Sequence, residues 1–94
     1  MRVTLGHTVF EDVEYDAVTD ILYLRNPGAG RADDWDQSQE GHALVYAGGD
    51  LVGVDILGAR AIVADNGQIA VTTLDGVIMR SPDAHLAVPA RTAA

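Results

Sequence analysis

Apolar residues in this chain fall in short runs bounded by Gly, Asn, Asp and Pro, the spacing of strands and turns. Residues 9–15, rich in β-branched and aromatic side chains, predict a first strand. Asp16-Ala17-Val18-Thr19-Asp20 predicts a tight connection, because aspartates at both ends of a turn bond nearby backbone N–H groups. Residues 21–25 predict a second strand, antiparallel to the first. Asn26-Pro27-Gly28-Ala29-Gly30 ends it. The polar, acidic residues 31–41 suit either a solvated loop or a charged edge strand. Residues 42–47 and 51–57 predict a hairpin across Gly48-Gly49-Asp50. Residues 62–65 and 68–72 flank Asn66-Gly67, the strongest short-range hairpin signal, and predict another. Residues 77–80 add one more strand. Ser81-Pro82-Asp83 has the form of a helix start, but Pro89 follows after little more than a turn, which leaves helix and irregular chain equally open. Residues 90–94 are expected to fray.

These elements predict a mainly β fold, or α+β with one short helix. The expected form is an antiparallel β-meander of roughly five to seven strands, ordinary for a sheet. Residues 1–94 form one small domain, with a core over about 9–59, a hairpin extension over 60–80 and a tail over 81–94. One sheet face must be apolar and covered. With so little helix in the pattern, a second copy is the expected cover, and a homodimer is the expected state.

Composition narrows the functional classes. A chain of 94 residues is too short for two independent cores, and its 48% apolar content is that of a globular protein. The core must be aliphatic, since Phe10, Trp35 and three tyrosines are the whole aromatic supply. Fourteen acids against six arginines give a net charge of −8, with no lysine. Arginines 2, 25, 31, 60, 80 and 91 form no stripe, so the chain lacks the cations that nucleic-acid affinity rests on. Acidity does favour a basic protein partner through steering. Without cysteine there is no disulfide, thiolate nucleophile or thiol metal site. The first residues lack the apolar stretch of a signal peptide, and no apolar run reaches the ~20 residues of a membrane span. A cytoplasmic location is expected.

The candidate chemistry is thin. Gly28-Ala29-Gly30 opens like a dinucleotide fingerprint, but Asp33 stands where the third glycine belongs and no apolar helix pattern follows. Asp33, Asp34, Asp36 and Glu40, with His42 nearby, could hold calcium or magnesium through hard oxygen ligands. Their spacing is not that of an EF-hand, Trp35 interrupts them, and like charges also discourage edge-to-edge sheet pairing. His7, His42 and His85 are scattered without metal-ligand spacing, and Ser38 and Ser81 lack a nucleophile-elbow context. Asp16 and Asp20 could act as an acid/base pair if burial raised one of them. Four residues apart around a turn, they better suit capping of backbone donors. Tyr15 and Tyr23 flank that turn with hydroxyls expected at the rim. Gly53 within a strand suggests a bulge or a close backbone approach, and Asp55 alternates to the solvent face. No catalytic, cofactor-binding or metal-ligating residue is assigned.

Tyr15-Asp16, Asp20, Leu22-Tyr23 and then residues 49–57, Gly-Asp-Leu-Val-Gly-Val-Asp-Ile-Leu, form an ordered pattern. It resembles the short prokaryotic proteins of domain-of-unknown-function family 2283: YD, three residues, D, one residue, LY, then a glycine turn leading to VG, an aliphatic, an acid and IL. The likeness spans the first 57 residues. Here Gly48-Gly49 precede Asp50, where family members place Asp before Gly, and Asp55 stands where Glu is commoner. The segment beyond Ala59 lies outside the pattern. The resemblance implies a small β-rich domain with no established activity, cofactor or catalytic residue, and an antitoxin-like partner role.

The functional expectation is a non-enzymatic protein-interaction module, with a small-molecule or metal-binding domain at a dimer cleft as the alternative. An enzyme built on Asp16, Asp20 and a histidine ranks behind both.

Overall fold

A computed structural model describes residues 1–89. It is mainly β and antiparallel throughout, with nine strands among the described residues. They are β1 (Val3–Leu5), β2 (Thr8–Phe10), β3 (Asp12–Asp16), β4 (Ile21–Arg25), β5 (Asp34–Gln37), β6 (Ala43–Ala47), β7 (Asp50–Leu57), β8 (Ile69–Thr72) and β9 (Ile78–Ser81). One helix, α1 (Ala59–Asn66), and two short 3-10 turns (Pro27–Ala29 and Ala84–Ala87) complete the described residues.

Five strands make the central sheet in the order β3-β4-β7-β6-β5, while β1-β2 and β8-β9 are separate two-stranded ribbons. The sheet is therefore not a simple meander. After β4 the chain crosses to the far edge, forms β5 and β6, and returns as β7 between β6 and β4. Asn26 anchors the crossing, its N–H donating to Val52 O and its side-chain amide to Val9 O, both at 2.8 Å. The β6–β7 hairpin turns on Gly48 and Gly49 at φ of 58° and 86°, the left-handed pair that a type I′ turn requires. A register shift between Val45 and Tyr46 supplies a bulge.

Strand alternation sorts the sheet into two faces. Val13, Leu24, Val54 and Leu44 form one cross-strand row on the inner face, and Tyr15, Leu22 and Ile56 the next. Both ribbons lie over this face. Val3, Leu5 and Phe10 arrive from β1–β2, Ile69 and Val71 from β8, Ala59 from α1, and Ala84 and Val88 from the last turn, all buried in one cluster. The ribbons meet along β1 and β9, where Gly6 N–H donates to Arg80 O at 2.9 Å. The apolar face that called for a second copy is thus covered from within the chain.

Several expected boundaries move. Residues 9–15 are broken at Glu11 into β2 and β3, so that Phe10 turns into the core with the ribbon. Residues 3–5, for which the pattern predicts no strand, form β1. The hairpin expected around Asn66-Gly67 is a helix end instead. Three alanines and Arg60 favour α1, and Gly67, at φ 74°, closes it with an N–H bond to Val63 O at 2.8 Å. Asn-Gly supplies the left-handed conformation that hairpin turns and helix ends share, which is why the dipeptide misleads. The extension over 60–80 is accordingly helix plus the β8–β9 hairpin. Residues 81–89 are no loose tail, since Ser81, Ala84 and Val88 are buried. Ser81 Oγ accepts the Ala84 N–H at 3.0 Å and starts a 3-10 turn rather than an α-helix. The expectation for residues 90–94 lies outside the described residues.

Phe10 has no exposed surface and belongs to the covering ribbon rather than the sheet. Phe10→Ala is expected to lower unfolding free energy by about 3–5 kcal/mol in urea titrations. A loss under about 1 kcal/mol would mean that the ribbon is not part of the core.

Candidate functional site

The β3–β4 turn holds the densest polar arrangement. Asp16 Oδ1 accepts the Val18 N–H at 2.9 Å, the turn-building role expected of it. Asp20 does more. It sits at φ 54°, the only non-glycine residue with positive φ among the described residues. Its carbonyl accepts the Gly58 and Ala59 N–H groups at 2.9 and 3.3 Å. Its Oδ1 accepts the Arg60 N–H at 2.8 Å and the Tyr15 hydroxyl at 2.7 Å. Gly58, at the head of α1, has no side chain with which to cap it, so Asp20 caps the helix across space. The Arg60 guanidinium lies over the Tyr15 ring, 5.8 Å from its centroid. Burial pushes the Asp20 carboxyl up, but the bonds from Arg60 N–H, Tyr15 and Ala61 N–H hold it below the ordinary aspartate value. A carboxylate kept ionised and fully engaged is no general acid.

Gly53 and Asp55 have a joint structural meaning. Arg25 faces Gly53 across β4–β7, and a Cβ on Gly53 would lie 2.8 Å from its Nη1 and 2.9 Å from its Cδ. The bare glycine lets the Arg25 side chain lie flat across β7 to pair with Asp55 at 2.6 Å. The close backbone approach expected at Gly53 is therefore the approach of a neighbouring side chain.

The acidic segment spreads out instead of converging. Asp33 Oδ2 accepts the Gly48 N–H at 3.2 Å, and Glu40 Oε1 the Thr72 N–H at 2.9 Å. Asp34 and Asp36 bond to the N–H groups of Trp35 and Gln37, each at 2.8 Å. Strand donors alternate between the two edges, and Ser38 N–H points to β6 through His42 O. Trp35 and Gln37 therefore present the donors of the free edge, and the aspartates occupy them. This segment is the charged edge strand of the two readings open for it, and it blocks strand addition by hydrogen bonding as well as by charge. Among the described residues no three His, Asp or Glu side chains gather closely enough to hold a metal ion.

The histidines and serines stay apart as well. His7 is exposed in the β1–β2 turn, and His85 lies on the last 3-10 turn. Ser81 is committed to Ala84. Ser38 Oγ does meet His42, but it accepts the backbone N–H at 3.0 Å. The imidazole turns instead to β7, where Nδ1 accepts the Leu57 N–H at 3.0 Å. At 2% exposure His42 is a core residue, and burial pulls its pKa below the model-compound 6.5 against the opposing charge of Glu40. Asp16, Asp20 and a histidine are not assembled into a site.

The outer face of the central sheet remains. One row runs Asp12, Arg25, Gly53, Val45, Trp35, and the next Glu14, Tyr23, Asp55, Ala43, Gln37. The crossing segment 26–32 borders this face at Val45 and Val52. Trp35 stands out from it with 70% of its surface exposed. Its place in the sequence, amid aspartates, carries no sign of an aromatic lying on an open sheet. No protein-family model, curated protein or solved structure matches the chain.

His42 gives stability a pH dependence with a definite sign. A histidine whose folded pKa is depressed contributes stability above its unfolded value, and that contribution is lost as pH falls through and below 6.5. Urea midpoints are expected to decline from pH 7.5 to 5.5 (roughly one pH unit either side of the histidine range), and His42→Asn should flatten the slope. An equal slope in the variant would contradict this assignment.

Proposed function

We propose that the chain is a non-enzymatic protein-interaction module whose outer sheet face docks a basic polypeptide. The exposed Trp35 carries this reading: it stands 70% exposed on the outer sheet face of a chain of net charge −8. Aromatic residues at the centre of interfaces contribute disproportionately to binding. On this face Trp35 adjoins Val45 in its own row, Tyr23 lies three strands on in β4, and Asp12, Glu14 and Asp16 line the opposite edge on β3. Arginine suits such a surface best, because its guanidinium stacks on an indole and pairs with carboxylates. Asp34 and Asp36 occupy the free-edge donors, which favours docking on the face over strand addition at β5.

The likeness to family 2283 supports the non-enzymatic reading through what its residues do here. Tyr15, Asp16, Asp20, Gly53 and Asp55 are all engaged in holding strands and helix together. An antitoxin-like role would be one instance of a module with a basic partner. A second copy of the chain is the other occupant, and the homodimer expectation stands as a proposal on the same face. Two such faces would bring like charges together, so the basic partner is preferred.

Trp35 is the single tryptophan and reports on its own face. Fluorescence titration with an arginine-rich peptide is expected to show saturable, salt-sensitive binding that Trp35→Ala weakens by about thirtyfold or more, the scale of an interface hot spot. Equal binding by wild type and variant, followed by either calorimetry or sedimentation, would remove the outer face as the docking surface. A tight dimer at micromolar concentration, lost in the variant, would assign the face to a second copy.

A further inference from the structure

At the end of β7, a cleft of about 730 Å³ opens between the sheet, α1 and the β8–β9 ribbon. Leu57, Ile62 and Ala70 give it an apolar wall, and Glu40, His42 and Arg80 line it with polar groups. His42 is the telling member. Its Nδ1 accepts from Leu57 N–H, which places the ring proton of the neutral imidazole on Nε2. That Nε2 is buried and has no hydrogen-bond partner. A buried donor without an acceptor is rare and signals a group that something else satisfies. Arg80 stands directly across from Ala70, exposed and without an acidic partner among the described residues. Glu40 is held at Thr72, two positions along the same strand, roughly 7 Å away at the rise of an antiparallel strand.

We propose that this cleft binds a free aliphatic α-amino acid. Its carboxylate accepts from His42 Nε2–H and pairs with Arg80, its ammonium faces Glu40, and its branched side chain lies on Leu57, Ile62 and Ala70. A bare carboxylate of the same shape leaves Glu40 in the cleft without a cationic partner. A bare amine leaves the His42 donor and Arg80 unanswered. Entry requires a wall that gives, because Nε2 is closed to water as the structure stands. This site is separate from the outer face and stands whether or not that face docks a protein.

The test is NMR titration of the His42 imidazole and neighbouring amides with L-leucine, alongside isocaproate and isoamylamine as its single-headed counterparts. Saturable shifts at millimolar leucine are expected, with both counterparts about tenfold weaker or worse, the scale of one lost charge-assisted bond. His42→Asn keeps an acceptor for the Leu57 N–H but removes the deep donor, and should weaken leucine binding by at least about tenfold. Exposed Arg80→Ala should do the same without disturbing the fold, as circular dichroism melts would verify. Absence of saturable shifts, or wild-type affinity in both variants, would overturn the proposal. Isocaproate binding as tightly as leucine would overturn the assignment to an amino acid.

Discussion

Asp20 is the joint on which the arrangement of this small domain depends. It ends the first hairpin in a left-handed conformation, receives the end of β7 through Gly58 N–H, and caps α1 through Arg60 N–H. One residue thus fixes the angle at which the helix leaves the sheet. That angle decides where Ala59 enters the core and where β8 begins. Helix α1 is only eight residues long and could not sustain itself without such an anchor and its packing. Tyr15 closes the arrangement by donating to the same carboxylate.

With the joint in place, the division of surfaces follows. The ribbons and α1 are drawn over the inner face, where the aliphatic rows of β4, β6 and β7 lie. The outer face keeps its polar row and its exposed tryptophan. Arg25 crosses that face over Gly53 to Asp55, stiffening the two central strands at the point where a side chain on residue 53 would collide. Acidity then has distinct local uses. Asp34 and Asp36 seal one edge, Glu40 ties the β5–β6 connection to β8, and Asp12 and Glu14 face outward on the opposite edge, Glu14 beside Tyr23.

Much of the β architecture was legible because strands and tight turns are specified locally. Residues 21–25 and the Gly48-Gly49 hairpin needed only alternation and positive-φ glycines. The helix was not legible, because Ile62 and Val63 before Asn66-Gly67 suit a hairpin as well as a helix end, and tertiary capping by Asp20 tips the balance. Strand β1 has only three residues and is recognisable once β2 and β9 flank it. The roles of Asp16 and Asp20 as turn builders were half visible: the bond to Val18 is local, whereas the bond to Arg60 spans forty residues. The unpartnered His42 donor and the exposure of Trp35 arise from the stacking of layers, which no local pattern encodes.

The claim that Asp20 organises the molecule is tested most directly by a double-mutant cycle between Tyr15→Phe and Asp20→Ala, read by urea unfolding together with amide hydrogen exchange across α1. The account predicts that Asp20→Ala lowers stability by about 1–2 kcal/mol or more, as loss of a helix cap does. It also predicts positive coupling with Tyr15 and faster exchange throughout α1. Additive effects of the two substitutions, with α1 exchange unchanged, would show that the helix is held by packing alone and that Asp20 is only a turn residue.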